Sequence, residues 1–273
     1  MLETEFSHVP NFTGYMGIVF EIIQAGRKGQ KILDIPAGNG LLAARLRECG
    51  HETVCADINR QKADYVFADL NHRLPFAEGE FDTCVCMEGI EHVIEPAKLI
   101  GELCRITRPG GQIILSLPNI QNVFSRFNFL CAGYFYQFSP GMSRHLKPGE
   151  QIDRGHISPL SYLQLRYLFQ YHGARVLRLD GDRWKKKWLI PFLLPFVGLG
   201  WLWARRELAS QPDAPEEDAR QMLGDLFSAP ALFSRSLILT FQKEEATQRS
   251  RSVGPSVDVS RQRRAEKSRR WTG

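Results

Sequence analysis

The chain has 273 residues, 43% hydrophobic and 24% charged, with a formal net charge of +5. That is ordinary globular composition, enough for one well-cored domain with insertions, and it excludes a wholly disordered chain. Residues 249–273 hold eight Lys/Arg against two acids, so the basic excess lies in the tail. The body is near neutral and carries no basic patch interleaved with aromatics, which argues against a nucleic-acid substrate.

Along the chain, short apolar runs alternate with helical patterns. Residues 31–34 form a candidate strand, and residues 41–49 a helix closed by Gly50. Residues 53–57, 65–70 and 81–87 are the next three strand-like runs. Pro96 opens a helix with apolar residues at Leu99, Ile100, Leu103, Cys104 and Ile106, stopped by "RPGG" at 108–111. "QIILSLPN" is a fifth strand. Residues 120–151 are aromatic and irregular and read as an insertion over the active-site face. A helix follows with Ser158 as its N-cap, Pro159 at its first position and Gly173 just past its end. "ARVLRLD" and residues 232–242 are the last strands. This alternation argues for a doubly wound α/β fold whose parallel sheet is covered on both faces. The domain is expected over 1–243, with insertions at 120–155 and 184–206 and a basic disordered tail at 244–273.

Six cysteines are present and none forms a CxxC pair. Several sit inside apolar runs, so they are expected to be reduced core residues of a cytoplasmic protein rather than disulfides or zinc ligands. The N-terminal "MLETEFSHVP" lacks a basic region followed by an apolar one, so no secretory signal is expected.

The stretch "KILDIPAGNGLLAARL" at 31–46 is a strand, an acid, a glycine-bearing turn and a helix. Ligands of open α/β sheets bind at such carboxyl ends of strands. Gly38 and Gly40 let the backbone approach a ligand, and Asp57 ends the second strand, where an acid can accept from both ribose hydroxyls. "GNGLLA" also matches a tolerated dinucleotide signature, so the turn alone leaves two cofactors open. The series that follows favours the other one: Asp69 at the end of the third strand, "LPFAEGEFDTCVCMEGIEHV", and "RPGGQIILSLPN".

With those motifs in order, the sequence resembles the class I S-adenosylmethionine-dependent methyltransferases, in particular the small-molecule branch that includes quinone-biosynthesis and sugar-modifying enzymes. The resemblance covers roughly residues 10–180 and the last strand. It implies a Rossmann-like sheet of about seven strands with the last one antiparallel, inserted beside the fifth. It further implies that Asp34 and the turn Gly38, Asn39 and Gly40 surround the methionine part of S-adenosylmethionine. Asp57 would hold the ribose, Asp69 and the backbone of Leu70 would meet the adenine amino edge, and Met87 and Glu88 would line the cofactor. Pro36 departs from the family's D-x-G-x-G-x-G, in which a glycine stands there; proline fits only where the N–H is unused.

Methyl transfer is an in-line displacement that needs an aligned acceptor and exclusion of water, with a base where the acceptor is a hydroxyl or amine. His156, before the helix at 158–173, is the first candidate base; His92 is the second, and His145 lies in the aromatic insertion. Glu88, Glu91 and His92 form E-x-x-E-H, a spacing similar to that which binds a divalent metal in quinone O-methyltransferases. In other relatives Glu88 touches the cofactor while Glu91 and His92 support the loop, and no resident metal is expected.

"WLIPFLLPFVGLGWLW" at 188–203 is uncharged, preceded by Lys185, Lys186 and Lys187 and followed by Arg205 and Arg206. It is short of the ~20 residues that span a bilayer. Its tryptophans and flanking cations suit a membrane interface. The expected function is therefore methyl transfer from S-adenosylmethionine to a small or lipid-linked acceptor of glycan or quinone-precursor type, peripherally at the inner face of a membrane. A catalytically silent scaffold is the alternative, and a nicotinamide oxidoreductase a further one.

Overall fold

A computed structural model describes residues 10–58, 62–140, 155–184, 190–210 and 215–245. His145, Lys185, Lys186, Lys187 and the basic tail from residue 246 lie outside the described residues. Strands β1 (Lys31–Asp34), β2 (Glu52–Asp57), β3 (Val66–Phe67), β4 (Phe81–Met87), β5 (Thr107–Pro118), β6 (Ala174–Gly181) and β7 (Ser236–Lys243) form one seven-stranded sheet in the order β3-β2-β1-β4-β5-β7-β6. β1 to β5 run parallel, and β7 lies antiparallel between β5 and β6. The strand order reverses beside β1, which puts the ligand crevice at the carboxyl ends of β1 and β4.

Both faces of the central strands are buried, which is why they read as unbroken apolar runs. Leu33, Cys84, Cys86, Ile113 and Leu115 face α3 (Pro96–Ile106) and α5 (Tyr162–Tyr171), where Phe169 stacks on Phe241 at 3.7 Å. Ile32, Val85, Met87 and Ile114 face α1 (Gly14–Gln24) and α2 (Leu41–Glu48). Cys55, Cys84, Cys86 and Cys104 are buried as expected, and α3 buries the apolar face expected of it.

Some boundaries differ from the sequence expectation. β3 is two residues long, because Asp69 accepts from the Asn71 amide at 2.9 Å and turns the chain before the edge strand can continue. "RPGG" does not separate α3 from β5; it is the first part of β5, with Gly110 at φ 73°. Ser158 is not the cap of α5. Its amide and hydroxyl bond the carbonyls of Glu91 (3.0 Å) and Val93 (2.6 Å), which holds the 155–158 segment against the β4 loop. The cap is Ser161, in a reciprocal capping box with Gln164. β7 starts at Ser236 because α8 (Ala229–Phe233) occupies the residues before it. Of the aromatic insertion, the described part holds α4 (Val123–Ala132), capped by Asn122. The apolar stretch is the larger part of α6 (Ile190–Ala209), which packs against α7 (Glu216–Leu226).

Candidate active site

The turn after β1 is shaped by two glycines at positive φ, Gly38 at 52° and Gly40 at 72°. Only glycine adopts this without strain. A side chain on Gly40 would also collide with the Tyr65 hydroxyl. The Ile35–Pro36 peptide is cis. Proline's missing donor leaves no gap: the Ile35 amide bonds Val85 O at 2.9 Å and the Ala37 amide bonds Ala56 O at 3.0 Å on either side of it. The Pro36 ring instead abuts Gly89, where an added Cβ would lie 2.6 Å from Pro36 Cδ.

Asp34 and Asp57 close the floor of this crevice. The Gly38 amide donates to Asp57 Oδ2 at 2.9 Å, so Asp57 holds the turn as well as facing it. The Asp34 carboxyl is buried, and neither oxygen makes a hydrogen bond of normal geometry. Desolvation, with the neighbouring Asp57 adding, pushes it up to about 7, against the opposing Ala43 amide and Arg47. A buried acidic group at the end of β1 suits a cationic ligand. Asn39 presents its carbonyl to Lys62 Nζ at 2.6 Å. Asp69 sits at the rim; its oxygens accept from the Asn71 amide and from His72 Nδ1 at 2.8 Å. Burial pushes its carboxyl up, but these hydrogen bonds outweigh that and hold it below its ordinary value. Leu70 follows it, and its Cδ1 would lie 3.1 Å from a Cβ added at Gly89. Met87 is buried at the end of β4. Glu88 takes φ 47° and accepts from Ser116 Oγ at 2.7 Å. Burial raises its carboxyl above the usual range, opposed by Ser116 and by the charge of Arg235.

A second group lies one turn further along the same loop. Glu91 is wholly buried, and both carboxylate oxygens lack a hydrogen-bond partner. Its pKa is pushed well up, first by burial and then by Glu88. His92 uses Nδ1 on the Gly155 carbonyl at 3.0 Å, and its Nε2 lies 4.0 Å from Glu91 Oε1. Burial, with His156 adding, lowers its pKa to about 4. His156 stands edge to face with His92, centroids 4.9 Å apart, and its buried Nδ1 has no partner. Burial lowers its pKa also. One ligand atom each from Glu91, His92 and His156 lie within 4.8 Å of one another. Two neutral imidazoles and one unpartnered carboxylate form a donor set that fits a divalent cation, and the Gly155 carbonyl fixes the His92 tautomer as metal sites require.

Of the E-x-x-E-H residues, Glu91 and His92 thus converge, while Glu88 turns toward Ser116. His156 joins them from 64 residues away because the Ile157 and Ser158 amides both bond the Glu91 carbonyl. One neighbour of the cluster belongs to the aromatic insertion expected over the site, and a second was missed by sequence reasoning. Phe138 tilts over His156 with centroids 5.4 Å apart. Arg235, half-buried before β7, is held by Asn119 N and Gln137 Nε2 on its carbonyl (2.9 and 3.3 Å), and its charge reaches Glu88, Glu91 and His156. Neither lies in a motif; only the antiparallel return of β7 brings Arg235 to the carboxyl end of β5.

A family model described as a methyltransferase domain matches residues 11–179. The ubiquinone biosynthesis O-methyltransferase of Aromatoleum aromaticum is 31% identical over 130 residues, 42% of this chain and 56% of that protein. The demethylmenaquinone methyltransferase of Paenarthrobacter aurescens is 32% identical over 115 residues, 36% of this chain and 45% of that protein. The chain thus spans about half the length of the curated relatives it matches. Among solved structures, a SAM dependent methyltransferase from Archaeoglobus fulgidus shares the fold with a TM-score of 0.52 at 15% identity, covering 84% of this chain and 93% of that one.

Proposed function

Because the chain belongs to the methyltransferase domain family, we propose that it transfers a methyl group from S-adenosylmethionine to a hydroxyl of a small or lipid-linked acceptor, of the quinone-precursor kind, at a membrane surface. The observation that carries this is the convergence of Glu91, His92 and His156 beside the crevice formed by Asp34, the Gly38–Gly40 turn and Asp57. The quinone-directed names of the relatives support the acceptor class.

The roles are those that the resemblance implies, and the geometry supports them. Asp34, Asn39 and the two glycines receive the cationic methionine end of the donor; the buried Asp34 ionises as the positive charge arrives. Asp57 takes the ribose, and Asp69 with the Leu70 backbone takes the adenine edge. Met87 and Glu88 wall the transferring methyl. A lone His92 with pKa about 4 holds a proton poorly at neutral pH, and His156 is lowered as well. Departing from the expectation of no metal, Glu91, His92 and His156 would together hold a divalent cation. Such an ion lowers the pKa of a bound hydroxyl, supplying the nucleophile that neither histidine generates well alone. The mixed imidazole–carboxylate set suits Mn²⁺ or Zn²⁺ better than Mg²⁺. Phe138 excludes water from His156.

The test is transfer of isotopically labelled methyl to a membrane lipid extract, read by mass spectrometry, with metal content measured on the same protein. A labelled phenolic lipid, lost on chelation and restored by Mn²⁺, is the expected result. Tight binding of S-adenosylmethionine with no labelled product would instead favour the scaffold role. Labelling that ignores both chelator and Glu91→Ala would remove the metal from the scheme.

A further inference from the structure

Helix α6 is 20 residues long and touches the rest of the protein along one stripe. Its partly covered positions are Leu193, Val197, Trp201, Ala204 and Leu208. At 3.6 residues per turn these occupy roughly 80° of its circumference. The opposite side is apolar and bare: Phe192 is 71% exposed, Phe196 69%, Leu199 65% and Trp203 76%. With Leu194 and Leu202, also exposed, they sweep roughly 200°.

The width of that arc identifies the partner. A helix that docks into a protein groove or pairs with a second copy presents a narrow seam at a/d spacing and keeps its flanks polar. A half-cylinder of Phe, Leu and Trp fits a fluid apolar medium that wraps the helix, which is the boundary region of a bilayer. Charge agrees. Residues 183–206 contain six Lys/Arg and no acid, and Arg205 and Arg206 are exposed at the end of the apolar run, Arg205 over the Trp201 ring at 5.3 Å. No helix among the described residues is long and apolar enough to cross a membrane, and α6 carries Pro195, Gly198 and Gly200 within it.

We propose that α6 is a docking surface that lies in the plane of an anionic lipid bilayer, with its Phe192, Phe196, Leu199 and Trp203 side buried among the lipids. The surface is fixed relative to the active site. α6 packs on α7, and α7 is tied to α5 by the Arg166–Asp218 ion pair at 3.0 Å and by the Tyr162 hydroxyl on Asp225. The segment entering α5 carries His156. Docking therefore holds the acceptor end of the site at a set orientation to the lipid; this consequence rests on the methyl-transfer reading, whereas the docking does not.

Flotation of the full chain with vesicles tests it. Binding is expected to vesicles containing phosphatidylglycerol, and to fall at least about tenfold in Phe196→Glu/Trp203→Glu and with pure phosphatidylcholine. Both substituted side chains are largely exposed, and retained affinity for S-adenosylmethionine certifies that the variant is folded and separates this result from the catalytic reading. A wild-type chain that stays unbound at phosphatidylglycerol vesicles overturns the proposal. So does a self-associated wild-type chain that becomes monomeric in the double variant without ever floating, since a second copy would then cover α6.

Discussion

His92 points its Nε2 at Glu91, 4.0 Å away, because its Nδ1 is committed to the Gly155 carbonyl at 3.0 Å. One backbone acceptor thus sets the tautomer that leaves a lone pair facing a buried carboxyl. The arrangement has a proton consequence. Burial and Glu88 raise the Glu91 pKa well above the ordinary value, which favours a proton on Glu91 before an ion binds. A divalent cation must displace it. Calorimetric titration with Mn²⁺ in buffers of different ionisation enthalpy should show release of about one proton per ion. Glu91→Gln should bind at least about tenfold more weakly and release none. Binding of Mn²⁺ without proton release would place the ion elsewhere.

Asp34 makes cofactor binding depend on pH. Its folded pKa of about 7 is raised above the ordinary 3.8, chiefly by burial. The folded state therefore keeps a proton that the unfolded chain has lost. The protonated form's contribution to stability is complete below about pH 4 and is lost as pH rises through about 7. Asp34→Asn should accordingly melt higher than wild type at pH 8 and not at pH 4. The cationic donor needs the ionised form, so wild-type affinity for S-adenosylmethionine should drop about tenfold from pH 8 to pH 6. Asp34→Asn should bind weakly with a flatter pH profile. An unchanged affinity in this variant would remove Asp34 from the cofactor site.

The strands and the glycine turn were legible in the sequence because they rest on local signals: apolar runs buried on both faces, and glycines where φ must be positive. Asp34 and Asp57 end β1 and β2, where the motif put them. Ser158 was misread because its hydroxyl is spent across the loop on Val93, a contact that no helix-start pattern encodes. Glu88 and Glu91 look equivalent in E-x-x-E-H, yet the positive φ of Glu88 turns it to Ser116 while Glu91 goes to the histidines. Phe138 was legible only as part of the aromatic insertion over the active-site face, while Arg235 was invisible, since it reaches the site through tertiary contacts to Gln137 and Asn119.

Pro36 and Gly89 form a coupled pair. The Pro36 ring fills the space where a Gly89 side chain would be, 2.6 Å from its Cβ. Gly89→Ala should cost about 1–3 kcal/mol from overpacking. It should also displace Glu91, two residues on, and weaken Mn²⁺ binding. Pro36→Gly removes the obstructing ring, so the double variant should regain much of the melting temperature lost by Gly89→Ala. Strict additivity of the two substitutions in denaturant unfolding would show that the ring is not the obstacle.

Arg235 places its charge near Glu88, Glu91 and His156, and its effect has a definite sign. A positive charge near an imidazole disfavours the imidazolium, so Arg235 helps hold His156 below its usual pKa, although burial is the larger cause. Arg235→Gln should therefore move the His156 titration upward but leave it below the ordinary histidine value, while Arg235→Lys should leave it near the wild-type position. Ring proton or nitrogen shifts followed by NMR across pH 4 to 8 read this directly, in protein stripped of metal. The same substitution should shift the low-pH limb of methyl transfer to higher pH, because a protonated His156 neither binds a cation nor accepts a proton. The His92 shift arises from burial and from His156, with no contribution from Arg235, so its titration should move little and serves as the internal control. An upward shift of His92 with His156 unmoved would mean that the guanidinium faces the other side of the loop.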